Sequence, residues 1–217
     1  MMEGAPLKIV GRSSSHYTRV VLLHAELLGL QWSLQPVDDL QGQDPEKYAG
    51  NPAMKIPVLV DGSTTLFGTQ NICRALCHRA PAQARARLRD ESGSPMLQNA
   101  QELVWHCMAA QVQLVMGTVL SALPAESPYF TKIRAGLEGS LAWLDDRADA
   151  LLPDRLGPAV ISPLEITLFC LMEHLTFRPT VDAGKYERLA ELTQRFGQLE
   201  VARRTAYRFD KEKSAHE

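Results

Sequence analysis

Through the N-terminal third of the chain the apolar positions alternate between strand-like and helix-like spacing. Residues 7–10 form a short apolar run closed by Gly11, which predicts a buried strand. Over residues 16–30, Val20, Leu23, Leu27 and Leu30 recur at helical spacing, Val21 and Leu28 widen the stripe, and Gly29 marks the C-terminal cap. Residues 31–37 carry Trp32, Leu34 and Val37 in imperfect alternation and predict a second strand. Residues 38–53 are polar and rich in Gly, Asn and Pro, so they read as a long loop with one helical turn near residues 46–49. Residues 57–60 and 64–67 flank Asp61-Gly62, whose positive φ angles suit a hairpin. A helix over residues 69–79 follows, and the order strand, helix, strand, strand, strand, helix defines a mixed α/β domain over residues 1–80.

Residues 81–93 change abruptly to Ala, Gln and Arg behind Pro81 and read as a linker. Beyond it, over residues 94–217, strand signals fade. Three helices announce their starts with Ser94-Pro95, Ser127-Pro128 and Ser162-Pro163, where serine caps and proline takes the first turn without losing a hydrogen bond. Leu97, Ala100, Val104, Cys107, Gln111 and Val115 follow a three-four rhythm, as do Ile133, Leu137, Leu141 and Leu144. Ser162 with Glu165 spells a capping box before Ile166, Leu168, Phe169, Leu171 and Met172, a helix apolar on most sides and hence central to an all-α domain. A further helix is expected over residues 185–196, and the charged tail over 210–217 is expected to fray.

Composition narrows the partners. The chain has 217 residues, 45% of them hydrophobic, enough for a sizeable core without staples. Its formal charge of −2 offers no field for nucleic acid or anionic lipid, and Arg79, Arg85, Arg87 and Arg89 have no interleaved aromatics. No apolar run of membrane-spanning length and no secretion-signal layout is read, so the expected location is cytoplasmic, with neither membrane nor nucleic acid as a partner. Cys73, Cys77, Cys107 and Cys170 contain no CxxC pair and are expected as reduced thiols. Cys73, Cys77 and His78 lack a second pair with metal spacing, and no metal is expected.

Two stretches carry chemistry. Arg12-Ser13-Ser14-Ser15-His16 joins the first strand to the first helix, where unpaired N–H groups and the helix dipole favour an anion; one serine suffices for a cap, and three exceed that need. A Ser-His-Asp triad from Ser15, His16 and Asp38, Asp39 or Asp61 is disfavoured, because no Gly-x-Ser-x-Gly elbow exposes a nucleophile. His24, His106 and His174 fall in helical runs and read as packing residues. Residues 51–62 are the most specific stretch. A proline opening a strand leaves the preceding main chain free to pair with an extended peptide, particularly when the Ile56-Pro57 bond is cis.

These residues resemble the cytosolic glutathione S-transferases, serine-type and bacterial-like, over nearly the whole chain. The anchors are Ser14-Ser15 before Arg19-Val20, Lys55-Ile56-Pro57-Val58-Leu59 with Asp61-Gly62, Thr69 at a helix start, and Ser162, Leu164, Glu165 and Ile166 at the buried helix. The resemblance implies an N-terminal thioredoxin-like domain followed by a C-terminal helical bundle, a homodimer, and glutathione as co-substrate. It implies that Ser14, with Ser15 and Ser13 as alternatives, donates a hydrogen bond to the glutathione sulfur. It further implies that Pro57 is a cis-proline, that the Ile56 main chain pairs with the cysteinyl part, that Lys55 lies near the glycyl carboxylate, and that Thr69 meets the γ-glutamyl carboxylate. Serine where thiol-transferring relatives carry cysteine argues against disulfide exchange.

The chain departs from the family at two places: His16 stands where many members have proline, and Gly68 stands where Glu or Gln usually engages the γ-glutamyl end. Trp105, Met108, Val112 and Met116 share a helix face that would wall either an electrophile pocket or an interhelical core, and Tyr207 and Phe209 near the tail could cover such a pocket. The expected function is conjugation of glutathione to small hydrophobic electrophiles, a detoxification chemistry. The alternatives are a non-catalytic binding or regulatory module, which Gly68 favours, and a glutathione-using isomerase or dehalogenase.

Overall fold

The computed structural model describes residues 7–86, 88, 94–152 and 160–210. Residues 1–6, part of the 81–93 linker including Arg87 and Arg89, and the tail beyond residue 210 lie outside the described residues. The chain forms two compact units, one drawn from residues 1–87 and 201–217, the other from 88–200.

In the first unit β1 (Leu7–Gly11), β2 (Trp32–Pro36), β3 (Val58–Asp61) and β4 (Thr64–Phe67) make one sheet in the order β2-β1-β3-β4. β1 runs parallel to β2, whereas β3 is antiparallel to both β1 and β4. Helix α1 (His16–Leu27) bridges the parallel pair, and α2 (Thr69–Arg79) follows the hairpin and packs on α1, β3 and β4. This is the thioredoxin-like arrangement. β1 lies inside the sheet, and Leu7, Ile9 and Val10 are all buried, which is why it reads as a continuous apolar run. Val10 pairs with Val58 and clusters with Val37 and Tyr48, while Ile9 pairs with Leu59 on the opposite face. Chain reversals fall at Gly29 (φ +66°), just past α1, and at Gly62 (φ +59°) in the hairpin. Arg79 at the end of α2 pairs with Asp61 at the hairpin tip. The helical turn expected near residues 46–49 is a 3₁₀ turn over Pro45–Tyr48, capped by Asp44.

A short helix, α3 (Ala82–Arg85), lies within the linker stretch. The second unit is built from α4 (Pro95–Leu114), α5 (Pro128–Asp146), α6 (Ala148–Leu151), α7 (Pro163–Phe177) and α8 (Glu187–Gly197). Each of the three Ser-Pro starts behaves as its sequence implies: Ser94, Ser127 and Ser162 accept from the N–H groups of Leu97, Phe130 and Glu165. α7 is buried on nearly every side and packs on α4 and α8, with Phe169 stacked on Phe196 at 4.4 Å. The segment Pro95–Leu120, α4 and its π-type continuation, is long and apolar enough on average to cross a membrane. Here Ala100, Val104, Cys107, Met108, Gln111 and Leu114 are buried, and α4 packs on α5 and α7 as a core helix does.

Helix α9 (Glu200–Arg204) opens the final segment, and residues 201–210 belong to the first unit. Arg19, 2% exposed, donates from Nη2 to the Ala202 carbonyl at 3.1 Å, and its guanidinium lies 4.3 Å from the Tyr207 ring centroid. Arg204 pairs with Glu26 at 3.3 Å.

Candidate functional site

The register of the sheet brings the candidate residues together. Because β1 and β3 are antiparallel with Val10 opposite Val58, the turn after β1 lies beside the chain that leads into β3. Val58 also pairs with Phe67, so Gly68 and Thr69, which open α2, end at the same margin. Three pieces distant in sequence thus converge at one end of one sheet.

In the β1–α1 turn the three serines do three different things. Ser15 is the N-cap of α1, its Oγ accepting from the Thr18 N–H at 3.2 Å. Ser13 is buried; its hydroxyl donates to Asp210 Oδ1 at 2.6 Å and its N–H donates to Asp210 Oδ2 at 2.9 Å. Ser14 is half-buried, and its hydroxyl has no hydrogen-bond partner among the described residues. Ser13 therefore has its proton committed to a carboxylate, whereas Ser14 keeps a free donor beside the N-terminus of a twelve-residue helix.

The Ile56-Pro57 peptide is cis. Ile56 precedes β3, and its main chain makes no backbone hydrogen bond among the described residues. The loop before it is held by Asn51, a buried side chain whose Nδ2 donates to the Lys55 carbonyl at 2.8 Å and whose Oδ1 accepts from the Ala53 N–H at 3.0 Å. The Lys55 side chain is exposed. Gly68 has φ +83°, and a Cβ built there meets nothing within 4 Å. The place of the absent Glu or Gln is therefore open space reached from a left-handed backbone. Thr69 is 7% exposed, and the Ile72 N–H bonds the Gly68 carbonyl at 3.0 Å.

Other titratable groups offer less. Burial pushes the Tyr17 hydroxyl up to about 12, so it keeps its proton at neutral pH. Burial likewise pushes the Cys107 thiol up to about 12 and raises Cys77, which leaves both poor nucleophiles. Among the described residues no group of three His, Cys, Asp or Glu side chains could hold a metal ion. In the second unit Met108 is fully buried, Trp105 and Met116 are half-buried, and Val112 is exposed. Met108 is thus core packing, whereas Trp105 and Met116 keep partial and Val112 fuller exposure. Tyr207 stacks on Arg19, and Phe209 is 60% exposed.

Asn51 heads the specific stretch without its role being legible there, and Asp210 is a site residue that sequence reasoning missed. Asn51 carries a weak signal, an Asn-Pro pair in a polar loop. Asp210 carries none, since its partner lies 197 positions away. The tail expected to fray from residue 210 instead begins with an anchored carboxylate.

The family profile described as Glutathione S-transferase, N-terminal domain matches residues 14–79. Glutathione S-transferase 4 of Zea mays is 37% identical over 75 residues, a match that spans 34% of this chain and 34% of the maize protein. A glutathione S-transferase from Methylobacillus flagellatus KT, solved with glutathione bound, has a TM-score of 0.75 at 20% identity and covers 93% of this chain and 100% of that one. A glutathione transferase family member from Pseudomonas fluorescens Pf-5, also with bound glutathione, has a TM-score of 0.77 at 21% identity over 93% and 99% of the two chains. The sequence match lies in the first unit, and the fold likeness runs along nearly the whole chain. A thioredoxin-like unit with a cis-proline before β3, followed by a helical unit, defines the class. The first unit thus matches the N-terminal domain of the glutathione S-transferases, and the chain shares the fold of the solved glutathione transferases along nearly its whole length.

Proposed function

We propose that this chain binds reduced glutathione at the margin where β1, β3 and α2 converge and activates its thiol for attack on small hydrophobic electrophiles. The observation that carries this reading is the uncommitted Ser14 hydroxyl at the start of α1, beside the unpaired main chain of Ile56. An extended cysteinyl segment can pair with Ile56 as an added strand would, which sets its sulfur toward the turn. Lys55 serves the glycyl carboxylate, and Thr69, at a helix start rich in N–H groups, serves the γ-glutamyl carboxylate. Ser14 donates to the sulfur and stabilises the thiolate over the thiol, so that more of the nucleophile exists at neutral pH. The thiol proton passes to solvent as the thiolate forms. The glutathione-bound relatives support the ligand class, and the family supports transferase chemistry in a cytoplasmic homodimer.

A hydrogen bond to a charged group is worth roughly 1.5–3 kcal/mol. Ser14→Ala is therefore expected to raise the pKa of bound glutathione by about one to two units and to cut turnover on the order of ten- to a hundred-fold, with glutathione affinity little changed. Calorimetric titration with glutathione, the ultraviolet absorbance of the bound thiolate, and initial rates with a model aryl halide read these effects. Unchanged turnover in Ser14→Ala, with loss in Ser15→Ala, would move the role to Ser15.

Gly68 favours a second reading, a binding module that has lost glutathione turnover, because the γ-glutamyl ammonium lacks a side-chain partner there. Absence of glutathione heat at millimolar ligand would select it.

A further inference from the structure

We infer that Asp210 is a positioning residue for the thiol site: it clamps the buried Ser13 and thereby fixes the β1–α1 turn with the Ser14 hydroxyl left open. The inference rests on the reading that Ser14 activates the thiol, and it adds a part of the chain that neither the family profile, which ends at residue 79, nor the sequence pattern includes. One carboxylate takes both donors of one residue, the Ser13 hydroxyl at 2.6 Å and the Ser13 N–H at 2.9 Å. Two bonds from a single residue to a single carboxylate fix the rotation of the peptide as well as its position, and Ser14 is the next peptide along. The carboxylate is itself delivered by a segment held at three earlier positions by two residues of α1: Arg19 binds the Ala202 carbonyl and lies against the Tyr207 ring, and Glu26 pairs with Arg204. The final segment is therefore a strap whose last described residue, Asp210, sits on the turn that carries the candidate chemistry.

The strap also divides the labour among the serines. With the Ser13 proton donated to Asp210 and the Ser15 oxygen taken by the helix cap, Ser14 is the one of the three whose hydroxyl no described residue engages. Asp210 does not touch the thiol; it acts through Ser13.

The test is a double-mutant cycle on the full chain with Ser13→Ala, Asp210→Ala and both together. Wild type is first titrated with glutathione, and the bound thiol pKa, KM and kcat are measured for all four proteins well below their melting temperatures. Expected are a rise of roughly half to one unit in the bound thiol pKa and a three- to tenfold drop in kcat for each single variant, with KM for glutathione little changed. The double variant should be no worse than the poorer single. Ser13→Thr, which keeps a hydroxyl, should retain wild-type kcat. Effects that multiply in the double variant, or single variants that lower only the melting temperature, would overturn the inference. So would an Asp210→Asn variant whose thiol pKa falls below that of wild type, since that would mark a through-space charge effect in place of positioning. If wild type binds no glutathione, the proposed function fails by itself. The clamp is then decided by the same cycle in thermal unfolding, where non-additive losses support it and additive losses overturn it.

Discussion

Of the serine-led helix starts in this molecule, those of α7 and α1 are built to opposite ends. At α7 the Ser162 hydroxyl accepts from the Glu165 N–H at 3.1 Å, and Glu165 Oε2 accepts from the Ser162 N–H at 2.6 Å, with both residues almost wholly buried. Every group there faces another, and the motif is closed. At α1 one serine caps, a second is clamped by Asp210, and a third is left over. A closed polar motif contributes stability and has nothing to offer a ligand. An open one at a helix N-terminus costs little in water and keeps a donor in a field that favours anions. The surplus hydroxyl, and not serine as such, separates a site from a cap.

The largest effect should come from breaking the closed motif. Glu165→Ala leaves the buried Ser162 N–H without its acceptor and should cost about 1–3 kcal/mol in urea unfolding. The bound thiol pKa should stay where it is in wild type, and a shift there would erase the distinction drawn between the two starts.

The start of α2 gives the contrast a third case, a cap with no side chain at all. Gly68→Ala places a Cβ on a φ of +83° and should cost roughly 1–2 kcal/mol from backbone strain alone. Gly68→Glu pays the same strain in the free and the bound protein, so it lowers stability alike, while one charged hydrogen bond of roughly 1.5–3 kcal/mol to the ligand should tighten glutathione on the order of ten- to a hundredfold. No gain in a calorimetric titration would mean that a side chain at this position does not reach the ligand.

Ser15→Ala isolates capping from chemistry within α1. Loss of the bond to Thr18 should cost ~1 kcal/mol of stability. Turnover should fall far less than in Ser14→Ala, and rate assays on the two variants side by side decide between the two serines.

The smallest effect is a pH slope. His24 in α1 is fully buried, and burial lowers its pKa below 6.5 although its Nδ1–H donates to the Val20 carbonyl at 2.8 Å. The unfolded chain then takes up a proton near pH 6.5 that the folded chain refuses. Stability is therefore undiminished above that pH and falls as pH drops through 6.5 toward the folded value. Urea unfolding at about pH 7.5 and about pH 5.5 should show the loss in wild type and a shallower one in His24→Gln.

Much of this molecule is legible in its sequence because the signals are local. The Ser-Pro helix starts, the capping box, the Asp61-Gly62 hairpin and the buried run of β1 each depend on residues within a few positions of one another, and the structure carries them all. The serine-rich turn that opens α1 and the free main chain before Pro57 are legible for the same reason. The helical face of Trp105, Met108, Val112 and Met116 was ambiguous, because a periodic apolar stripe does not say what covers it; Met108 proves to be core.

By itself, then, the sequence determined the two-part fold and the element order, since period, caps and turns are properties of short segments. Which serine is open was decided only by tertiary structure. That choice depends on a carboxylate 197 positions away, carried back to the turn by a buried arginine, an aromatic ring and an ion pair. No local pattern encodes such a meeting, because it is fixed by how the end of the chain packs after every nearer element has formed.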